Sequence, residues 1–375
     1  MTATPNIVRG CNDLLFDADG KTYIDLHAGF GAVFMGHCHP GIARALAQQV
    51  NELWTCGGAP TEVHGQACQA LELGFCGSHK TAGLYSTGME AAEFALRFSR
   101  VLTGKSGWIG LNGSMHGKSI ATAALGWESR SGAEPADCHR LPFLGDCPED
   151  ETLELLHAAL SGGAIGAVWI EPILGSRGGI SGSANFYKTV ASLAREHGAL
   201  LIVDEILTGF FRTGERFRFE ALGLNPDVLV VGKACGNGFP VSAVLIQSQH
   251  QVQPQMLPGS TFSGNALACA TVAATLKFLQ MDDIRAKVAT IASVVNKHLA
   301  WLEGSPFKLR GAGAFWVIDA QGDQDMGALL STLRAQGLWL SGTGRQIRLL
   351  PASTIELSNL HRASGLVADG LRAMI

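Results

Sequence analysis

No stretch of this 375-residue chain approaches 18 uninterrupted apolar residues, so no membrane-spanning helix is expected. The opening segment MTATPNIVRG lacks the apolar core of a secretory signal, and no export leader is expected either. Charge is sparse, at 16% of residues, and the balance of −4 argues against nucleic acid or an anionic membrane as main partner. The nine cysteines (11, 38, 56, 68, 76, 138, 147, 235 and 269) contain no CxxC pair, and no His/Cys cluster has zinc spacing. That leaves buried free thiols, no metal site and a reducing cytoplasm as the expectation. Internal repeats and low-complexity linkers are missing too. Glycine, by contrast, is abundant: 47 residues, nearly twice the ordinary share of roughly 7%. Many tight turns and close backbone approaches follow.

Apolar β-rich runs alternate with helix-patterned stretches. WIGL (108–111), AVWIEP (167–172), LLIVDE (200–205), DVLVVGK (227–233) and SAVLIQ (242–247) read as strands. MEAAEFALRFSRVL (89–102), TLELLHAAL (152–160) and ANFYKTVASLAREHG (184–198) space their apolar residues three or four apart. Such alternation predicts an α/β fold with a mostly parallel sheet, whose ligands bind beyond the carboxyl ends of the strands. The chain ends differ. FDADGKTYIDL (16–26) reads as a turn between two short strands, and FWVIDA and QIRLLPAS lie late in the chain, before a last helix. Residues 1–45 and 275–375 are therefore expected to form one smaller α+β domain beside a large domain of residues 46–274. SRSGAEPADC (129–138) reads as a surface loop.

In LLIVDEILTG (200–209) two acids break a run that should be covered on both faces, and a buried carboxylate needs a cation or a metal. Lys233 closes the next apolar run 29 positions after Asp204, about one strand–connection–strand unit, so both should project into one crevice. LYSTGMEAAEFALRF (84–98) reads as strand, small-residue turn and helix, whose free N–H groups beside Gly88 suit a phosphate dianion. STFSGNALACA (260–270) is a second hydroxyl-and-glycine turn before a helix. A cofactor carrying a phosphate, a basic ring nitrogen and an aldehyde would use these groups together: the helix start for the phosphate, Asp204 for a protonated ring nitrogen, Lys233 for a Schiff base.

These pieces resemble those of the class III aminotransferases, the fold type I family that uses pyridoxal 5'-phosphate and includes ornithine, acetylornithine and ω-amino acid aminotransferases. The resemblance covers nearly the whole chain through DADGKTYIDLHAGFGAVFMGHCHP (17–40), STGMEAAE (86–93), MHGKS (115–119), EPILG (171–175), DEILTGFFRTG (204–214), PDVLVVGKACGNGFP (226–240), STFSGNALACA and IRLLP (347–351), in that order. It implies that Lys233 is the Schiff-base lysine and proton shuttle, and Asp204 the partner of the ring nitrogen. Thr87, Gly88 and Met89 would form the phosphate turn, Thr261 would reach the phosphate in the neighbouring subunit of a homodimer, and Glu171 would lie near the ring. Arg348 would hold a substrate carboxylate, and Trp54 would line the substrate entrance. His116, Arg177 and Arg212 are read as structural residues.

The departures concern the cofactor's surroundings. Met115 stands where the family usually stacks Phe or Tyr on the ring, Leu207 where Gln is common, and Ser176 where a Glu covers the arginine in the ornithine-type branch. Amine and oxo acid substrates are thus expected for an aminotransferase. An aminomutase, epimerase or decarboxylase would use the same lysine and aspartate, and a non-catalytic scaffold would have no need of them.

Overall fold

A computed structural model describes residues 5–127, 135–250 and 259–375, and most of the 129–138 loop predicted above lies outside the described residues. The chain begins with an antiparallel meander of strands β1 (Ile7–Cys11), β2 (Leu14–Asp17) and β3 (Thr22–Asp25). The central sheet follows: β4 (His79–Tyr85), β5 (Gly107–Leu111), β6 (Cys138–Leu141), β7 (Ile165–Ile170), β8 (Leu200–Asp204), β9 (Val228–Val231) and β10 (Ser242–Gln247). Its order is β4-β10-β9-β8-β7-β5-β6. Neighbours from β9 through β6 pair in parallel, whereas β10 runs antiparallel to both β9 and β4. The last strands are β11 (Phe307–Ala312), β12 (Phe315–Ala320), β13 (Leu338–Trp339), β14 (Ser341–Gly342) and β15 (Gln346–Leu349). β13 joins β3, while the others form an antiparallel sheet ordered β11-β12-β15-β14.

β7, β8 and β9 are buried at every position because both faces are covered. In β8, Leu200 and Ile202 enter one core while Leu201 and Val203 enter the other, and β9 divides Val228 and Val230 from Leu229 and Val231 in the same way. The helix Gly88–Thr103 covers the first face through Ala91, Ala92, Ala95 and Phe98. Helices Glu149–Ser161, Ala184–Glu196 and Ala266–Met281 bury residues in the second core. Each fully buried Leu, Ile or Val contributes about 1.5–3 kcal/mol. Side chains begin the helices: Thr87 accepts from Glu90 N–H, Ser183 from Phe186 N–H and Asn265 from Ala268 N–H. The helix expected over 89–102 thus starts one residue earlier, at Gly88. At Gly110 a side chain would overlap the carbonyl of Leu125, so glycine lets the following segment lie on β5.

The nine cysteines are all unpaired, but only Cys76, Cys235 and Cys269 are buried; Cys11, Cys38 and Cys56 are exposed, against the expectation of buried thiols. Among the described residues no helix is long and apolar enough to cross a membrane.

Arg212 ties the sheets together. Its side chain is fully buried, donating from Nη1 to the carbonyls of Ala314 and Pro351 and from Nη2 to that of Gly31, with the guanidinium 4.3 Å from the Phe34 ring centroid. Burial alone pulls its pKa down to about 9. Replacing Arg212 with Leu strands three carbonyls, and the expected loss is on the order of 3 kcal/mol or more. The check is a lowered urea midpoint at unchanged denaturant slope.

Candidate active site

Asp204 is the last residue of β8, and Lys233 lies two residues beyond the end of β9 rather than at the strand terminus the sequence suggested. The two strands are adjacent and Asp204 pairs in register with Val230, so both side chains stand at the carboxyl edge of the sheet. Asp204 is 3% exposed; its Oδ1 accepts from Ile206 N–H at 3.0 Å, and its Oδ2 lies 2.8 Å from Nδ1 of fully buried His116. His116 packs at 5.2 Å on the ring of Trp169, and its Nε2 is buried without a hydrogen-bond partner among the described residues. It was read from sequence as merely structural; its link to Asp204 spans 88 positions and leaves no local trace.

Glu171 follows β7 and is 5% exposed, accepting from Met115 N–H at 2.9 Å and from Gly175 N–H at 3.1 Å. Burial, reinforced by the charge of Asp204, pushes its carboxyl up to about 7. Burial also lowers the Lys233 ammonium below the usual lysine range, although Asp204 and Glu171 both work against it. Lys233 has φ +45°, a left-handed conformation that costs a non-glycine residue roughly 1–2 kcal/mol. Such a conformation persists only where the surrounding structure over-determines it.

Across the crevice, the N–H groups of Gly88 and Met89 open a 16-residue helix, where no intrahelical acceptor exists for them. The Thr87 hydroxyl is occupied as the helix cap, and Glu90 returns the contact by accepting from Ser86 N–H. A Cβ at Gly88 would lie 2.6 Å from Ile206 Cδ1, so the turn and Ile206 are in close contact. Ile206, which sequence reasoning missed, also lies beside Gly232; its signal was its place two residues after Asp204. The donor set is therefore a buried carboxylate, a desolvated lysine amine, a helix start with free N–H groups, and the apolar side chain of Ile206 against that start. It fits a group bearing a basic ring nitrogen, an aldehyde and a phosphate.

Leu207 packs with Ile173, Phe315, Val317 and Leu350. A side chain at Gly31 or Gly175 would collide with it. Arg348, on β15, makes one long hydrogen bond to the carbonyl of Gly175 at 3.4 Å and lies 5.8 Å from the ring centroid of Phe30. Among the described residues no carboxylate is within ion-pair range of it. Thr261 and Trp54 do not join the cluster. Both are exposed, in neighbouring segments linked by Ala266 N–H to the Trp54 carbonyl. Arg177 pairs with Asp146.

Residues 2–369 match the family Aminotransferase class-III. The chain is similar to acetylornithine aminotransferase of Bacillus subtilis (34% identity, covering 92% of this chain and 90% of that protein). It is similar also to 2-aminoadipate transaminase of Pseudomonas putida (32%, covering 96% and 94%). Among solved structures, ornithine aminotransferase of Toxoplasma gondii superposes with a TM-score of 0.89 at 27% identity, covering 99% of this chain and 90% of that one; it was solved with partial occupancy of the cofactor. The chain belongs to the class III aminotransferases, and it is a transaminase dependent on pyridoxal 5'-phosphate.

Glu205, fully buried beside Asp204, is likewise raised by burial to about 7, although it accepts from Thr208 Oγ1 and Phe219 N–H. Unfolded, both glutamates lose their protons near 4.5; folded, near 7. Between those values the folded state binds more protons, so stability contributed by these acids is complete below the lower value and is lost as pH rises through the upper one. The urea midpoint of the cofactor-free protein is expected to be higher at about pH 5.5 than at about pH 7.5, with Glu205→Gln narrowing the gap. A gap unchanged by that substitution would show that Glu205 ionises freely in the fold.

Proposed function

We propose that Lys233, Asp204 and the helix start at Gly88 form the catalytic centre, which moves an amino group between an amine or amino acid donor and an oxo acid or aldehyde acceptor. The observation that carries this reading is the pairing of a buried carboxylate with a desolvated lysine on adjacent strand ends. When bound, pyridoxal phosphate supplies an aldehyde for condensation with an amine and a cationic ring that takes up the electron pair left when a substrate Cα–H bond breaks.

The remaining work falls to the protein. Thr87, Gly88 and Met89 hold the phosphate at the helix start. Asp204, oriented by His116 and Ile206 N–H, keeps the ring nitrogen protonated. Ile206 and Met115 supply apolar packing for the ring, and Leu207 gives its surroundings no hydrogen bond. Lys233 Nζ, whose burial favours the neutral amine, would accept the proton from substrate Cα. Glu171 fixes the turn at Gly175, and the guanidinium of Arg348 forks onto the substrate carboxylate. The relatives named for acetylornithine and 2-aminoadipate support amino acid donors.

A homodimer draws support from the exposed surface. Residues 51–60 are exposed throughout and form no helix or strand, and Trp54 and Phe262 are each about three-fifths exposed. A second copy would cover them and bring Thr261 to the partner's phosphate, with Trp54 at the entrance. The pairing of β3 with β13 supports reading residues 1–45 and 275–375 as one small domain beside 46–274. Nine unpaired cysteines support a cytoplasmic location.

Lys233→Ala is expected to slow turnover between donor and acceptor by ~10³-fold or more; transfer at the wild-type rate would refute the centre. Arg348→Ala is expected to raise KM for an oxo acid about tenfold or more, from the loss of a charge-assisted hydrogen bond. An unchanged acceptor KM would remove Arg348 from the site. Sedimentation should find two chains per particle, and a monomer that stays active would overturn the shared-site reading.

A further inference from the structure

His298 and His361 stand 63 positions apart, on the helices Ile284–Leu299 and Leu357–Arg372. The first helix buries Ile291, Val295 and Leu299, and the second Leu360, Val367 and Leu371, in the same core. At the outer side of that packing, His298 Nε2 lies 3.0 Å from His361 Nδ1. The rings are 5.3 Å apart between centroids and inclined by 63°. His361 is exposed and His298 half-buried, so water reaches the pair. The His298 ring lies over Gly365, one turn on from His361, where a Cβ would be 3.9 Å from its Nδ1.

Two imidazole nitrogens bound to one ion at 2.0–2.1 Å sit roughly 2.9–3.4 Å apart, for angles between square and tetrahedral. The observed 3.0 Å falls within that range. A neutral imidazole offers one nitrogen as an acceptor and carries its proton on the other. At His298 that other nitrogen makes no hydrogen bond among the described residues, so the tautomer is free to change. Burial first, then His361, Lys297 and Arg372, lower the pKa of His298, and Asp369 opposes them. The ring is therefore neutral in neutral solution, as a ligand must be. Among the described residues no cluster brings three or more possible ligands together, so water would complete the shell. The other pair of touching rings, His157 and His197, is 5.5 Å apart between centroids and shares no hydrogen bond.

We propose that His298 and His361 form a two-imidazole site for a divalent transition metal such as nickel, copper or zinc, bridging the two helices. Imidazole favours these ions over magnesium and calcium, which take oxygen ligands. The ion replaces the shared proton, and the ring that donated it carries its proton on the opposite nitrogen instead. Because the two ligands come from different helices, the ion binds the folded chain better than the unfolded one and stabilises it. The site stands apart from the assignments at Lys233 and Arg348 and does not depend on them.

Calorimetric titration of the holoenzyme with nickel chloride at about pH 7.5, its exposed thiols first alkylated, tests this. His298→Ala and His361→Ala are each expected to weaken the binding tenfold or more, while His157→Ala leaves it within about twofold. Acidification to about pH 5.5 should weaken it at least tenfold, since both rings must be neutral. Nickel should also raise the melting temperature of the wild type by a few degrees, reversibly with EDTA, and magnesium should not. The melting temperature of each variant without nickel shows that it is folded, and His361→Gln replaces the alanine variant if it is not. Nickel bound by either variant as tightly as by wild type overturns the shared site. Equal weakening in His157→Ala overturns it as well, by placing the ion elsewhere.

Discussion

A carboxylate sealed at the end of a strand that is covered on both faces is the constraint around which this molecule is arranged. Asp204 is almost wholly buried, and among the described residues it is hydrogen-bonded by one backbone N–H and one imidazole nitrogen. Glu171 and Glu205, both buried nearby, add further acidity to the same edge of the sheet. Desolvating a carboxylate costs several kcal/mol unless positive charge compensates. Sheet order supplies part of the answer by making β9 the neighbour of β8, which brings Lys233 alongside. Burial works against the lysine's own charge, so the amine is better suited to condensation and proton transfer than to a permanent ion pair. The proposed cationic ring beside Asp204 would supply the missing compensation.

Much of this was legible because the chemistry is encoded locally. Five apolar runs announced β5 and β7 through β10, and LLIVDE placed a strand end at Asp204, where β8 stops. The helix start at Gly88 carried its own cap in Thr87 and Glu90. Strand direction was less accessible. Ser242–Gln247 is buried at every position, so periodicity cannot tell which way β10 runs. The deciding fact is the connection from Val231 to Ser242, which holds only a short helical turn and is too brief for the crossover a parallel neighbour needs.

Other features were hidden because they join distant parts of the chain. MHGKS gives no hint that His116 would meet Asp204. Arg212, fully buried on three carbonyls from separated segments, could not be told from a surface arginine. Phe30 was quoted only as part of a motif, since neither its left-handed backbone nor its neighbour Arg348 has a signature in adjacent residues.

The segment DEILTGFFRTG links the sheet edge to the turn at residues 28–31. Asp204 meets His116 and the Ile206 N–H, and Glu205 turns inward to hold Thr208 and Phe219 N–H. Ile206 packs on Gly88, Leu207 fills the space that Gly31 and Gly175 leave free, and Arg212 binds the Gly31 carbonyl. These eleven residues thus touch the helix start at Gly88, the turn at Gly175 and the strained turn at Gly31. Phe210 and Phe211 take positive φ to accomplish this, and both pack against Phe75. A larger side chain at 207 would press on Gly31 and Gly175 together, so Leu207 couples the turn at residues 28–31 to the segment after Glu171 whose carbonyl meets Arg348.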